Sequence, residues 1–153
     1  MVRRRDGKAE TRRVSRQGRR AKPIVLVADD DIDARTMYGL YFKSKGCLVY
    51  TAPDGDVAVD RAIAVRPDVI VLDLAMPRVD GWAAAERLRR SPGTRGIPII
   101  AVTANYSARD NARLSGFDAF MTKPCLPQRL WNEVRLLLRR DPGDHEQTGT
   151  IPA

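Results

Sequence analysis

Five short apolar runs divide the chain after Pro23. Each run holds four to six residues and is rich in valine, isoleucine and other apolar side chains, a pattern that predicts β-strands rather than helices. The runs are Ile24–Ala28, Cys47–Ala52, Val69–Leu72, Ile99–Val102 and Ala119–Thr122. The first, third and fourth runs are apolar without alternation, which predicts strands covered on both faces, as in a parallel sheet.

Stretches with helical periodicity separate these runs, at residues 31–45, 54–65, 80–90, 107–115 and 127–140. The apolar residues that recur at helical spacing are expected to face the core. They are Met37, Leu40 and Tyr41, then Ala58, Ala62 and Val65, then Trp82, Ala85 and Leu88, and finally Leu130, Val134, Leu137 and Leu138. We expect Ser107 to be an N-cap, Gly116 to follow the end of the same helix, and Pro127 to lie in the first turn of the last helix.

Strand and helix alternate five times, and this order predicts an α/β fold in which helices cover both faces of a parallel sheet. The folded domain is expected at residues 23–140. A basic segment, residues 1–22, precedes it, and a polar tail, residues 141–153, follows it. The tail is too short to form a second domain.

The net charge of +8 is confined to the basic segment. Residues 1–22 contain ten basic and two acidic side chains, so 17 of each sign remain in residues 23–153. The segment has almost no apolar residues to bury, which predicts a disordered arm or extra sequence from an upstream start. An electrostatic tether to nucleic acid or to an anionic surface is the other interpretation.

Other features of the composition exclude several classes of protein. No apolar run reaches the roughly 18 residues of a membrane span, and none follows the basic N-terminus as in a secretory signal. Cys47 and Cys125 are far apart and adjoin apolar residues, so we expect free thiols in a reducing, cytoplasmic setting. The one histidine, His145, lies in the polar tail, which argues against histidine-based catalysis.

Polar residues follow four of the predicted strands. They are Asp29, Asp30 and Asp31 after the first, Asp73 after the third, Thr103 after the fourth, and Lys123 after the fifth. Because ligands of open parallel sheets bind at the carboxyl ends of the strands, we expect these groups to share one cleft. Each also has a structural explanation by itself: Asp31 or Asp33 as a helix cap, Thr103 as a strand end, Lys123 as a solvated charge.

The carboxylates in such a cleft need a counter-charge. Two of them about 4 Å apart repel by roughly 4 kcal/mol at an effective dielectric constant near 20. A divalent cation removes this repulsion, and an all-oxygen donor set fits Mg²⁺, Mn²⁺ or Ca²⁺ rather than zinc. An open cleft with few protein ligands favours Mg²⁺, and the ordered loop of an EF-hand is absent.

The same residues have the chemistry of an aspartyl-phosphate site. A carboxylate beside Mg²⁺ can attack phosphorus, with Asp73 as the nucleophile. Mg²⁺, the Lys123 ammonium and the Thr103 hydroxyl can each hold one oxygen of the transferred group. The sequence contains neither a phosphate-binding P-loop nor a dinucleotide-binding glycine motif.

Four motifs in order resemble the receiver domain of two-component response regulators, over residues 23–140. They are Ile24–Asp31 (IVLVADDD), Val71–Pro77 (VLDLAMP) with Asp80-Gly81, Ala101–Ala104 (AVTA), and Phe120–Pro124 (FMTKP). The resemblance implies a doubly wound, CheY-like and flavodoxin-like fold with five helices and strand order 2-1-3-4-5. It also implies a cis Lys123–Pro124 bond.

The resemblance assigns a role to each site residue. By this resemblance, Asp73 is the phosphoacceptor and also a metal ligand, and Asp29 and Asp30 are the acidic pair that holds Mg²⁺. The backbone carbonyl of Ala75 is a further metal ligand, and Lys123 is the lysine of the site. Thr103 and Phe120 are the switch pair. Cys125 replaces the phenylalanine that usually follows the Lys-Pro pair, so different packing is expected where the last helix begins.

The function that this resemblance implies is that of a single-domain response regulator and not of an enzyme. A sensor histidine kinase or a histidine phosphotransfer protein would phosphorylate Asp73 in a Mg²⁺-dependent reaction. The face formed by helix 4, strand 5 and helix 5 would then change shape and signal to a downstream protein partner.

Three other classes of function remain open. A Mg²⁺-dependent phosphohydrolase would need an acid two residues after the nucleophile, where this chain has Ala75. A nucleic-acid-binding protein would act through residues 1–22. An interaction scaffold with the same fold would never be phosphorylated.

Overall fold

The structure is a computed structural model and describes residues 22–140. The predictions for the basic arm and the polar tail concern residues outside this range, apart from Lys22. Within it, five strands alternate with five α-helices. They are β1 Ile24–Ala28, α1 Ile32–Ser44, β2 Leu48–Ala52, α2 Gly55–Val65, β3 Val69–Asp73, α3 Gly81–Arg90, β4 Ile99–Thr103, α4 Arg109–Leu114, β5 Ala119–Thr122 and α5 Pro127–Leu138.

The five strands form one parallel sheet in the order β2-β1-β3-β4-β5. The predicted fold class and strand order are therefore confirmed. β2 lies on one side of β1, and β3 lies on the other side, so the direction in which strands are added reverses at β1. This reversal leaves a crevice at the carboxyl ends of β1 and β3. Asp73 pairs in register with Val102, so the ends of β3 and β4 lie side by side.

Two apolar layers enclose the sheet. On one face, Tyr38 and Phe42 of α1 and Leu130 and Val134 of α5 pack against alternate strand residues. On the other face, the small and apolar side chains of α2, α3 and α4 pack against the remaining ones. The strands β3 and β4 are buried throughout, and β1 is buried after its first residue, as their continuous apolar sequences predict.

The prediction of which residues of α1 face the core was wrong for Met37 and Leu40, whereas the partly buried Tyr41 does pack against the core. Met37 and Leu40 are 44% and 63% exposed, whereas Tyr38 and Phe42 are buried. The inward stripe runs one position away from the predicted one, and a shift of one residue rotates a helix position by about 100°. Because α1 also carries apolar side chains on its outer face, Ile32 among them, its periodicity is ambiguous. In α2, α3 and α5 most of the predicted residues are buried.

The start of α4 also differs from the prediction. Ser107 does not cap this helix; it lies within a 3₁₀ turn, Tyr106–Ala108, which α4 continues. Asn105 caps this 3₁₀ turn, and its side-chain oxygen accepts from the Ser107 N–H at 3.1 Å and from the Ser107 hydroxyl at 2.6 Å. Gly116 follows the end of α4 with a φ of 82°, a left-handed conformation suited to glycine, as predicted.

Both cysteines are free and buried, as expected, and burial raises the pKa of each thiol. Among residues 22–140, no helix is both long enough and apolar enough to cross a membrane.

Candidate phosphoacceptor site

Asp29 is held at the carboxyl end of β1 by the backbone that follows it. The residue is 3% exposed, and its Oδ1 accepts from the Asp31 N–H at 2.9 Å. Asp31 in turn caps α1, with its side chain accepting from the Asp33 N–H. Of the two residues considered as helix caps, Asp31 and Asp33, the cap is Asp31. Asp29 lies two residues before this cap, near the helix N-terminus, where the backbone favours negative charge.

Asp73 is the last residue of β3 and is 5% exposed. Its Oδ1 accepts from the Ala75 N–H at 3.0 Å. Burial raises the pKa of the Asp73 carboxyl, and the charge of Asp29 adds to the rise. The Ala75 N–H and Lys123 oppose this rise without cancelling it. Ionised Asp73 is thus an acceptor in a poorly solvated position, which suits a nucleophile.

Lys123 connects the two buried carboxylates. Its N–H donates to the Thr103 carbonyl at 2.8 Å, directly after β5, and its peptide bond to Pro124 is cis, as expected. Its Nζ lies 2.7 Å from Asp29 Oδ2 and 3.2 Å from Asp73 Oδ2. Desolvation lowers the pKa of the Lys123 ammonium, but the two carboxylates outweigh it and the net pKa is raised.

The acidic groups are close enough to share one metal ion. Asp29, Asp30 and Asp73 each offer a carboxylate oxygen within 4.8 Å of the others. Asp30 is exposed, whereas the other two are buried, so the group opens to solvent on one side. An all-oxygen set at an open crevice fits Mg²⁺, which keeps several waters. The Ala75 N–H donates to Asp73, and the ligand role of the Ala75 carbonyl stays a prediction.

Thr103 and Phe120 lie on the opposite face of the sheet from the α1–α5 layer. Thr103 ends β4, is 2% exposed, and its hydroxyl accepts from the Asn105 N–H at 3.3 Å. Phe120 pairs with Ala101, two residues before Thr103, and packs into the layer of α2, α3 and α4. Thr103 has the same alternation as Ala101, so it shares this face with Phe120.

Arg35 also belongs to the site, although the motifs do not single it out. Its guanidinium donates to the carbonyl of Asp29 at 2.6 Å and to that of Asp30 at 3.1 Å. The acidic pair is thereby fixed through its backbone. The signal in the sequence is a basic residue about one turn into a helix that begins directly after an acidic cluster, so that the side chain can reach back.

The loop between β3 and α3, residues 74–80, is anchored at both ends by glycines. The Gly55 N–H donates to the Val79 carbonyl at 3.0 Å, and the Gly81 N–H donates to the Leu74 carbonyl at 3.2 Å. A Cβ at either glycine would overlap backbone atoms. This close approach holds the loop that carries Ala75 against the end of β3.

The fold and this cluster of side chains define a class of signalling domain. Residues 25–135 match the family model of the response regulator receiver domain. The chain therefore belongs to the response regulator receiver domain family of two-component systems.

The chain is also similar in sequence to individual proteins. The chain is 35% identical over 122 residues to the DNA-binding dual master transcriptional regulator RpaA of Synechocystis, covering 77% of this chain and 50% of that protein. It is 35% identical over 112 residues to an uncharacterized 14.6 kDa protein of Leptolyngbya boryana, covering 72% of this chain and 86% of that protein. The chain spans about half the length of the transcriptional regulators that it matches.

Solved structures match the fold over most of the domain. The receiver domain of the Francisella response regulator 1452 is 31% identical, with a TM-score of 0.72, and covers 78% of this chain and 98% of that one. The chemotaxis response regulator CheY4 of Vibrio cholerae is 28% identical, with a TM-score of 0.71, and covers 76% and 98%.

Proposed function

We propose that Asp73 accepts a phosphoryl group from a phosphohistidine of a sensor histidine kinase or a histidine phosphotransfer protein. One observation carries this proposal: the Lys123 ammonium contacts both Asp29 and Asp73, and Asp30 lies within 4.8 Å of them. A cation beside a buried carboxylate, with two further carboxylates to hold Mg²⁺, is the arrangement that phosphoryl transfer to an aspartate requires.

The transfer exchanges one bond to phosphorus for another. An Asp73 oxygen forms a bond to phosphorus, the bond from phosphorus to the donor imidazole nitrogen breaks, and the electron pair returns to that nitrogen. The Ala75 N–H, bonded to Asp73 Oδ1, orients the carboxylate. In the proposed transfer, Lys123 donates to one phosphoryl oxygen and the Thr103 hydroxyl donates to another. Asp29, Asp30 and Asp73 would hold Mg²⁺, which would supply the charge that offsets the remaining negative oxygens.

The consequence of phosphorylation would reach the face formed by α4, β5 and α5. The product carries a charge near −2 and three acceptor oxygens. Thr103 turns toward it, and Phe120, on the same face of the sheet, fills the space that Thr103 leaves. Moving a switch from 1:99 to 99:1 requires about 5.5 kcal/mol. A few charge-assisted hydrogen bonds of about 1.5–3 kcal/mol each are sufficient.

The first test uses the wild-type chain with acetyl phosphate. We expect a mass gain of one phosphoryl group that depends on Mg²⁺ and is lost with excess EDTA. Borohydride reduction of the acyl phosphate, followed by peptide sequencing, should place the modification on Asp73. An unmodified but folded protein would contradict the proposal and favour a scaffold. Sustained turnover of phosphate monoesters would instead favour a phosphohydrolase.

A second proposal concerns residues 1–22, and it rests on their ten basic side chains. We propose that this arm binds nucleic acid or another polyanion electrostatically. Binding of duplex DNA should fall by about 10³-fold between 50 and 200 mM salt if six phosphates are contacted. Deletion of residues 1–22 should remove it. DNA binding that survives the deletion, or that ignores salt, would refute this role of the arm.

A further inference from the structure

A buried tyrosine of α1 reaches the loop that follows Lys123. Tyr38 is 3% exposed, and its hydroxyl donates to the Cys125 carbonyl at 2.7 Å. Its ring is stacked with Phe42, at a centroid distance of 6.4 Å. Cys125 itself is 5% exposed and lies two residues after the lysine. This bond is therefore a buried link between the first helix and the entry to the last one.

The backbone around Lys123 is held on both sides. Before it, the Lys123 N–H donates to the Thr103 carbonyl at 2.8 Å. After it, the Tyr38 hydroxyl holds the Cys125 carbonyl. Between these two anchors, the lysine side chain crosses to Asp29 and Asp73. These two anchors therefore fix the point from which the lysine side chain reaches the two carboxylates.

The same helix also holds the acidic side of the site. Arg35 lies three residues before Tyr38, so the two side chains emerge from neighbouring positions of α1. Arg35 donates to the carbonyls of Asp29 and Asp30, while Tyr38 donates to the loop after Lys123. α1 thus holds both partners of the ion pair between Asp29 and Lys123.

From this arrangement we infer that Tyr38 is a positioning residue for phosphoryl transfer, which acts by fixing Lys123 relative to Asp29 and Asp73. The inference rests on the proposed function. Without the hydroxyl, the buried Cys125 carbonyl loses its donor, and the loop relaxes toward water or another partner. The ammonium then moves away from the position in which it meets a phosphoryl oxygen. A small displacement of such a group slows transfer without removing any reacting atom.

The test compares Tyr38→Phe with Thr94→Val. Thr94 is a matched control because its buried hydroxyl donates to the Leu88 carbonyl at 2.8 Å, in the loop before β4 and at the other end of the sheet. Each variant loses one buried hydroxyl donor, although the Thr94 hydroxyl also has a longer contact with the Ser91 carbonyl at 3.4 Å, and each should unfold about 5 °C lower. The phosphorylation rate with acetyl phosphate at saturating Mg²⁺ should fall about fivefold in Tyr38→Phe alone.

A second readout does not depend on phosphorylation. In the metal-free protein, the ¹⁵N–¹H signal of the Lys123 ammonium, assigned by its loss in Lys123→Met, should shift or broaden in Tyr38→Phe and stay unchanged in Thr94→Val. The inference is overturned if Tyr38→Phe is phosphorylated at the wild-type rate, or if the phosphorylation rate falls equally in Tyr38→Phe and Thr94→Val. An ammonium signal that is unaltered in Tyr38→Phe would also overturn it. If Tyr38→Phe is partly unfolded at the assay temperature, all proteins are compared at a lower temperature at which circular dichroism shows each of them folded. A wild type that is never phosphorylated refutes the proposed function, while the ammonium signal still tests Tyr38.

Discussion

Replacement of Asp73 by asparagine should abolish phosphoryl acceptance and, in the same molecule, stabilise the metal-free fold. The amide has the shape of the carboxylate but is not a nucleophile at this pH. It also removes one of the two buried negative charges that face each other across Lys123. Lys123 keeps its shorter contact, the one to Asp29 at 2.7 Å. The gain in stability therefore comes from lost repulsion and desolvation, and the lost activity comes from the missing oxygen anion.

The gain in stability should depend on pH in a defined direction. Burial, with Asp29 adding to it, raises the pKa of native Asp73 above its ordinary value of 3.8. Between that value and the raised one, the native state binds more protons than the unfolded chain, so ionisation of Asp73 lowers the free energy of unfolding as pH rises. The cost is complete above the raised pKa and absent below 3.8. The free energy of unfolding of Asp73→Asn should therefore exceed that of the wild type at neutral pH and approach the wild-type value in acid.

Urea unfolding in EDTA at several pH values measures this difference, because Mg²⁺ would stabilise the wild type by binding its native state. Asp33→Asn is the control. Asp33 is exposed in the first turn of α1, where a negative charge favours the helix. Its loss should leave phosphorylation unchanged and lower stability slightly. An Asp73→Asn protein that is less stable than the wild type at pH 7 would show that Asp73 is a net stabilising charge in the native state.

The sheet and the gathering of charged groups could be predicted from the sequence because both depend on local and regular signals. Val69–Leu72 is too apolar for a strand with one wet face, and alternation with helices makes the sheet parallel. Once strands are parallel, their carboxyl ends meet. Asp29, Asp73 and Lys123, which are far apart in the sequence, then have to share one edge, and the structure brings them into contact.

The contacts that fix these groups could not be predicted, because they depend on side-chain direction. Tyr38 and Met37 are adjacent in α1, and a rotation of the helix by one position exchanges which of them faces the core. Because α1 has apolar residues on both faces, its sequence does not distinguish the two orientations. The hydrogen bond from the Tyr38 hydroxyl to the Cys125 carbonyl can form only when Tyr38 faces the core. The start of α4 was misjudged for a related reason. Asn105 and Ser107 are both good capping residues, and the choice between them depends on a 3₁₀ turn that has no separate signal.

Replacement of Gly81 by alanine should destabilise the domain by about 3 kcal/mol and remove phosphoryl acceptance. A Cβ at this position would overlap the Asp73 carbonyl and lie 2.7 Å from the Leu74 Cα, so the obstacle is backbone and not a flexible side chain. That backbone is the end of β3, which carries the nucleophile. To admit a methyl group, either α3 must move outward or Asp73 must move, and a displacement near 1 Å costs about 100-fold in rate.

Gly96→Ala is the control for this prediction, since a Cβ at Gly96 would meet nothing within 4 Å. It should change the free energy of unfolding by less than about 0.5 kcal/mol and leave phosphorylation intact. Activity has to be compared at a temperature where circular dichroism shows both variants folded. Under those conditions, a folded Gly81→Ala protein that is phosphorylated at the wild-type rate would mean that only α3 moves to make room for the methyl group. The close approach of Gly81 would then support the packing of α3 and have no part in placing Asp73.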